Sequence, residues 1–283
     1  MTKITFFLYV VLLSMNCFGQ ESFRVASYNI RYQAEADERS GNGWAVRKEP
    51  LAALIKRHGF DLIATQEGNT QQLGELKELL PGYAYLGSPY GGPEGSLHNC
   101  ATFYRTDSFE VLDSGVFWLS ETSEIPSIGW DASDRRICFW TKFKERATGK
   151  AFFLFNTHFY WRKHTARERS GPLVARKIKE IAGQQPVILM GDFNSTSETT
   201  QIKAIKELLS DASEVTTRPV TDVKGTAFPG GVFQGEPGAR IDYIFVSPHF
   251  IVKDYKVISD MYNVNRYPSD HLPVSSKILL TDN

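Results

Sequence analysis

"ILMGDFNST", residues 188–196, is an apolar run that halts at Gly191 and then presents Asp192 and Asn194 on alternate positions. A short aliphatic run stopped by glycine reads as a buried strand. Buried carboxylates and amides are costly unless paired, so a strand that ends on two of them must be serving something. Alternation along the strand would put both side chains on the same side.

The pattern recurs through the chain. Asn29 follows "FRVASY", Glu67 follows "DLIATQ", and Asn156 and His158 sit late in "AFFLFNTHF". Asp242 lies in "RIDYIFVS", and Asp270 and His271 stand in "PSDHLPV". Alone, Asn29 could be a satisfied turn residue, and Asn194 or Ser195 could cap a following helix. Repetition over several strands is harder to assign to capping. If the strand ends converge, Glu67, Asp192, Asp242 and Asp270 form a set of carboxylates that would repel one another without a cation. Hard oxygen donors with no cysteine favour Mg²⁺, Mn²⁺ or Ca²⁺ over zinc. Two histidines among acids supply groups that carry protons near neutral pH.

Further strands are expected at "CATFYR" (100–105), "FEVLDSGVFWLS" (109–120), "RICFWTKFK" (136–144) and "HLPVSSKILL" (271–280). Helices are expected at Pro50 to His58, stopped by Gly59, at Gln71 to Leu80, stopped by Pro81-Gly82, at Pro172 to Ala182, and at Glu198 to Ser210. No repeat, low-complexity stretch or long linker interrupts the series. Many strands with inserted helices predict one α/β domain in which two sheets pack face to face with helices outside.

Composition agrees with a folded domain, since 42% of the 283 residues are hydrophobic and 23% are charged. Residues 1–19, MTKITFFLYVVLLSMNCFG, place a lysine before a short apolar run and then small or polar residues, the plan of a secretory signal peptide. The run is too short to span a bilayer comfortably. Cleavage after Gly19 would leave a domain of residues 20–283, secreted or periplasmic and without a transmembrane segment. Lipid attachment at Cys17 is disfavoured by Met15 and Asn16, which stand where small residues are expected. The mature chain would carry 31 basic and 32 acidic residues, so no global field draws it onto a polyanion. Cys100 and Cys138 sit in apolar runs, where buried free thiols are expected.

The strings "SYNIR", "LIATQE", "NTHF", "GDFNS", "RIDYIFVS" and "SDHLPV" occur in this order between residues 27 and 274. In them the chain resembles the endonuclease/exonuclease/phosphatase superfamily, which includes pancreatic-type deoxyribonucleases, apurinic endonucleases, bacterial sphingomyelinases and inositol polyphosphate phosphatases. "FWLSE", "GWDASDRRICFW" and "NGWAVRKEPLAALI" further look like a secreted bacterial branch. The resemblance implies a four-layered α/β sandwich, two packed mixed β-sheets flanked by helices, with the site at one edge. It implies that Glu67 is the principal ligand of Mg²⁺ or Mn²⁺, with Asn29 and Asp270 close by, directly or through water. Asp192 and Asn194 would position the attacking water and the phosphate. His271 would act with Asp192 in deprotonating that water, with Asp242 orienting the imidazole. His158 would hydrogen-bond a phosphate oxygen, and Arg136, with Arg135 as the adjacent alternative, resembles a phosphate-contacting arginine.

Where many relatives carry an acidic residue and a histidine after "NTHF", this chain has Tyr160-Trp161-Arg162-Lys163-His164. That aromatic pair reads either as packing or as a stacking surface for substrate. The basic "RKHTARERS" reads as a solvated face or a phosphate-binding rim, and the glycine-rich "FPGGVFQGEPGAR" is expected to border the site. The function expected is a secreted, divalent-metal-dependent phosphoesterase that hydrolyses a phosphodiester or phosphomonoester by in-line attack of water. Near-zero charge tilts the substrate toward a small molecule or lipid headgroup, with a nuclease acting on DNA or RNA as the alternative. A non-catalytic binding protein on the same scaffold is the alternative of another class, disfavoured because the acidic and histidine residues of the site itself are all present. No obligate protein partner is expected.

Overall fold

Along the chain the elements run β1 (Phe23–Asn29), α1 (Glu35–Arg39), α2 (Trp44–His58), β2 (Leu62–Gln66), α3 (Thr70–Leu79), β3 (Tyr83–Pro89), β4 (Asn99–Arg105), β5 (Phe109–Trp118) and β6 (Ile137–Glu145). They continue with β7 (Ala151–His158), α4 (His164–Ala182), β8 (Val187–Asp192), α5 (Thr200–Lys206), β9 (Ser210–Asp211), α6 (Ala212–Val215), β10 (Asp242–Val246), β11 (Phe250–Val257) and β12 (Val274–Leu280). This computed structural model describes residues 22–92, 98–218, 220 and 225–281, and the signal-peptide reading of residues 1–19 falls outside them. No helix among the described residues is long and apolar enough to cross a membrane.

The strands form two six-stranded mixed sheets, ordered β11-β12-β1-β2-β4-β3 and β5-β6-β7-β8-β10-β9. Alternation along each strand builds the layers. Val25 of β1, Leu154 of β7 and Ile188 and Met190 of β8 point into one apolar core between the sheets. Ala26 and Tyr28 face the opposite way, onto Leu51, Ile55, Leu73 and Leu76 of α2 and α3. Phe153, Phe155, Val187 and Leu189 face Val174, Ile178, Ile202 and Ile205 of α4 and α5. The result is the four-layered sandwich, helices on sheet on sheet on helices. Cys100 and Cys138 are both buried free thiols.

The sheets are also joined by polar groups. Asn156 of β7, which the sequence groups with the site, does not reach it. Its Nδ2 donates to the carbonyls of Thr65 and Ala101, each at 3.0 Å, and its Oδ1 accepts from Gln66 Nε2 at 2.8 Å. A buried amide satisfied on the opposite sheet fixes how the two sheets align.

Two helices differ from expectation at proline. In the sequence Pro50 and Pro172 mark helix starts, yet α2 begins at Trp44 and α4 at His164, with each proline inside its helix. The cost of a missing N–H is offset by the apolar faces that both helices bury. In α4 the residue before the proline has its own reason: a Cβ on Gly171 would lie 2.2 Å from the carbonyl oxygen of Gln201 in α5. Gly171→Ala is therefore expected to cost about 1–3 kcal/mol by overpacking. Urea unfolding should show a lower midpoint at unchanged slope.

Candidate active site

The polar positions meet at one edge of both sheets. Asn29 ends β1, which runs parallel to β2, so Glu67 emerges beside it just past Gln66. His158 ends β7 opposite Asp192, the last residue of the parallel β8. Asp242, Asp270 and His271 differ from the strand-end expectation, because Asp242 opens β10 and the other two precede β12. Both strands are antiparallel to their neighbours, with Asp242 paired to Asp192 and Val274 to Ser27. Strand direction thus delivers their starts to the edge where the other strands end.

Three of the five non-glycine residues with positive φ among the described residues lie here: Arg31 (56°), Glu67 (69°) and Asn194 (47°). Strained backbone clusters where the surrounding structure over-determines it. Glu67 leaves its strand in this conformation, and its backbone N–H donates to Tyr90 Oη at 3.3 Å. Asn194 turns just after Asp192, and its N–H donates to Asp192 Oδ1 at 2.9 Å. A turn, not strand alternation, sets Asn194 beside Asp192. It is not a helix cap, since α5 begins at Thr200 after Thr199.

On one side of the edge, Asn29 Nδ2 donates to Glu67 Oε1 and to Asp192 Oδ2, both at 3.1 Å, while its Oδ1 accepts from Arg31 N–H at 3.0 Å. Tyr32 N–H donates to Glu67 Oε2 at 3.2 Å. Burial works to raise the Glu67 carboxyl, but His271, Arg31 and the Asn29 hydrogen bond outweigh it and hold the group below its ordinary range. Asp270 is raised, by burial first and then by the Glu67 charge. Arg31 Nη1 stands 3.2 Å from Asp270 Oδ2, and its Nε donates to Asp37 at 2.9 Å. Buried Arg47 fixes the backbone around them by donating to the carbonyls of Ile30 (2.9 Å), Arg31 (3.1 Å) and Pro268 (2.9 Å). Two neighbouring carboxylates that repel each other, with the amide of Asn29 beside them, offer the hard oxygen donors that fit a divalent cation.

On the other side, His271 Nδ1 lies 2.9 Å from Asp242 Oδ2, and its Nε2 lies 3.7 Å from Asp192 Oδ2. Asp242 is completely buried, and its Oδ1 has no hydrogen-bond partner. Burial opposes charge on His271, but Asp242 and Asp192 hold its pKa well above the usual imidazole range. Burial pushes the Asp192 carboxyl up to about 7, with His271 pulling it down and Asp242 pushing it further up. Asp192, Asp242 and His271 each offer an atom within 4.8 Å of the others, so this buried cluster is a second constellation able to hold a metal.

His158 is different. Burial, then the charges of Arg136 and His271, lower its pKa well below the usual range, so its ring is neutral. Asn194 Nδ2 donates to the Phe159 carbonyl at 3.0 Å and lies 3.1 Å from His158 Nε2. Nε2 also lies 3.3 Å from Asp192 Oδ2, and Nδ1 lies 2.8 Å from Tyr90 Oη. One histidine held charged and one held neutral suit different tasks.

These groups line a cavity of about 880 Å³. Arg136 and Arg135 both border it. The Arg136 guanidinium lies 5.4 Å from the Tyr90 ring centre and 5.7 Å from that of Tyr160. The aromatic pair divides: Tyr160 is buried, whereas Trp161 is half-exposed at the cavity wall. The glycine-rich loop borders the cavity through Phe228, Gly230 and Gly231. From the basic stretch, Arg167 Nη1 donates to the Asn194 carbonyl at 3.2 Å. Tyr90, Arg31 and Arg47 were not singled out from the sequence. Arg31 lies inside "SYNIR" and Arg47 inside "NGWAVRKEP", but Tyr90 follows "GSP" in a glycine-flanked turn that carries no site-like pattern.

A model of the endonuclease/exonuclease/phosphatase family matches residues 26–271, a span that holds every site residue from Asn29 to His271. A mannosyl-6-phosphatase of Bacteroides thetaiotaomicron is 40% identical, with a TM-score of 0.86 over 91% of this chain and 99% of that one. An endonuclease/exonuclease/phosphatase family protein of the same organism is 39% identical, with a TM-score of 0.86 over 92% and 98% of the two chains. An uncharacterized protein of Acanthamoeba polyphaga mimivirus is 26% identical over 245 residues, 82% of this chain and 90% of that protein. By sequence and fold alike, the chain belongs to the endonuclease/exonuclease/phosphatase family and is a phosphoric ester hydrolase.

Proposed function

We propose that the protein is an exported hydrolase that works with Mg²⁺ or Mn²⁺ on a compact phosphoester, a phosphorylated sugar foremost. The observation that carries the reading is the cavity of about 880 Å³ over the carboxylates, walled by Ser133, Asp134, Arg135 and Trp161. That volume is in the range of small-molecule sites, and such a wall suits a polar ring better than a long duplex. Likeness to a mannosyl-6-phosphatase at 40% identity supports the same substrate class. A balance of 32 basic and 32 acidic residues offers no global attraction to nucleic acid. Export rests on the lysine and apolar run within residues 1–19.

Glu67 and Asp270, with Asn29 beside them, would hold the cation. When bound, it neutralises charge on a phosphate oxygen and lowers the barrier to attack by several kcal/mol. Arg136 and Asn194 face the phosphate oxygens, and His158 keeps the Asn194 amide in place. Asp192, its carboxyl pushed up to about 7, takes the proton of the attacking water. The charged His271 ring stands beside it, and Asp242 keeps that ring turned toward Asp192.

Phosphate release from hexose phosphates, compared with cleavage of bis-p-nitrophenyl phosphate and nicking of plasmid DNA, tests the reading. With Mg²⁺ or Mn²⁺ the hexose phosphates should react fastest, and chelator should abolish turnover. Salt-sensitive plasmid nicking faster than every small substrate would overturn it.

A further inference from the structure

The cavity wall away from the carboxylates comes from the segment between β5 and β6, residues 119–136, and from Trp161. That segment is fixed at several points. Asp131 accepts from the backbone N–H groups of Ala166 at 2.8 Å and Thr165 at 3.4 Å at the head of α4. Trp130 N–H donates to Glu121 Oε2 at 3.0 Å. Gly129 packs so closely that a Cβ there would lie 2.1 Å from the Leu119 carbonyl oxygen. Ser133 Oγ donates to Asp134 Oδ2 at 3.0 Å and lies 2.9 Å from Tyr160 Oη, which supplies the proton for that second bond. Asp134 is thus an exposed carboxylate hydrogen-bonded by a serine that is itself bonded to a buried tyrosine.

A carboxylate is unexpected in the wall of a site that must admit a phosphate. It opposes further negative charge and accepts strongly from hydroxyl groups. Arg135, its neighbour on the same wall, offers donors where Asp134 offers acceptors, a match for adjacent ring hydroxyls. Arg136 is committed elsewhere, between Tyr90 and Tyr160 and close enough to His158 to lower its pKa. Trp161 is half-exposed; the Arg162 guanidinium lies 4.2 Å from its ring centre, and the opposite face of the indole is the one a sugar's C–H side would meet.

We propose that this wall is the subsite for the group from which phosphate is removed, that it takes an uncharged polyhydroxyl ring, and that Asp134 rejects groups bearing a second phosphate. The proposal rests on reading the site as a hydrolase of compact phosphoesters. Asp134 and Trp161 are specificity residues, and Ser133 positions Asp134.

The test is steady-state hydrolysis of a hexose 6-phosphate and the matching hexose 1,6-bisphosphate by the full chain and by the Asp134→Asn, Ser133→Ala and Trp161→Ala variants, with melting temperatures taken alongside. Loss of a charge-assisted hydrogen bond and of the repulsion should lower the preference for monophosphate over bisphosphate about tenfold in Asp134→Asn, the effect lying in KM and not in kcat. Ser133→Ala should move the ratio the same way by less, and Trp161→Ala should raise KM for both substrates. An unchanged ratio in Asp134→Asn, with the wild type active on the monophosphate, would overturn the subsite alone. A wild type inert on hexose phosphates but active on bis-p-nitrophenyl phosphate would overturn the substrate reading beneath it as well.

Discussion

Glu67→Gln is expected to lower metal-dependent kcat by about 10³-fold or more while the fold survives, since several kcal/mol of charge stabilisation depend on a carboxylate at this position. The variant keeps an acceptor oxygen for Asn29 Nδ2, but its amide hydrogens face Tyr32 N–H, a donor that Glu67 Oε2 now satisfies. Binding can be read apart from turnover. A cation that binds only the folded protein raises its melting temperature in proportion to occupancy. Wild-type protein should therefore melt at higher temperature as Mg²⁺ is added, and Glu67→Gln should melt at a temperature nearly independent of it. Equal Mg²⁺-dependent stabilisation of both proteins would remove Glu67 from the ligand set.

Substitution of His271 by alanine is expected to lower kcat about 10²- to 10⁴-fold, the range of a lost acid–base group. Asp242→Asn should also lower kcat, because the charge that orients the imidazole and favours its protonated form is gone. The informative measurement is the double variant. The bond of 2.9 Å between His271 Nδ1 and Asp242 Oδ2 makes the pair a unit, and a unit is broken only once. Losses in His271→Ala and in His271→Ala/Asp242→Asn should be nearly equal. His158→Ala acts through Asn194 and Tyr90, so its loss should come closer to adding to that of His271→Ala. Additive losses for His271 and Asp242 would sink the coupling.

Much of this site is legible in the sequence because strands deliver side chains to predictable places. Asn29, Glu67, His158 and Asp192 stand at or just past the ends of apolar runs, and a reader who assumes convergence groups them without coordinates. Direction is what the runs conceal. Asp242 and His271 reach the same edge from the starts of their strands, because β10 and β12 run against their neighbours, and hydrophobic periodicity has no direction. β3 and β11 were hidden for different reasons. "YAYLGSP" carries glycine and proline in its second half, and "FIVKDYKV" breaks its alternation at a bulge between Val252 and Asp254. Tyr90 was illegible because its role is made of contacts, with Glu67 N–H, His158 and Arg136, that join three distant parts of the chain.

The strand order of the first sheet has a consequence for when the enzyme can act. β12 lies in that sheet's interior, between β11 and β1, although it comes last among the strands of the described residues. Asp270 and His271 immediately precede it, while Asn29 and Glu67 are contributed by the first two strands. During translation, domains fold as their elements become available, N-terminal parts first. A growing polypeptide therefore carries one half of the reaction centre from early on, with an open slot beside β1, and acquires the other half only once β12 has been made. Until β12 has been made and has paired with β1, no partial product possesses both Glu67 and His271 in register, and hydrolytic power waits on that strand.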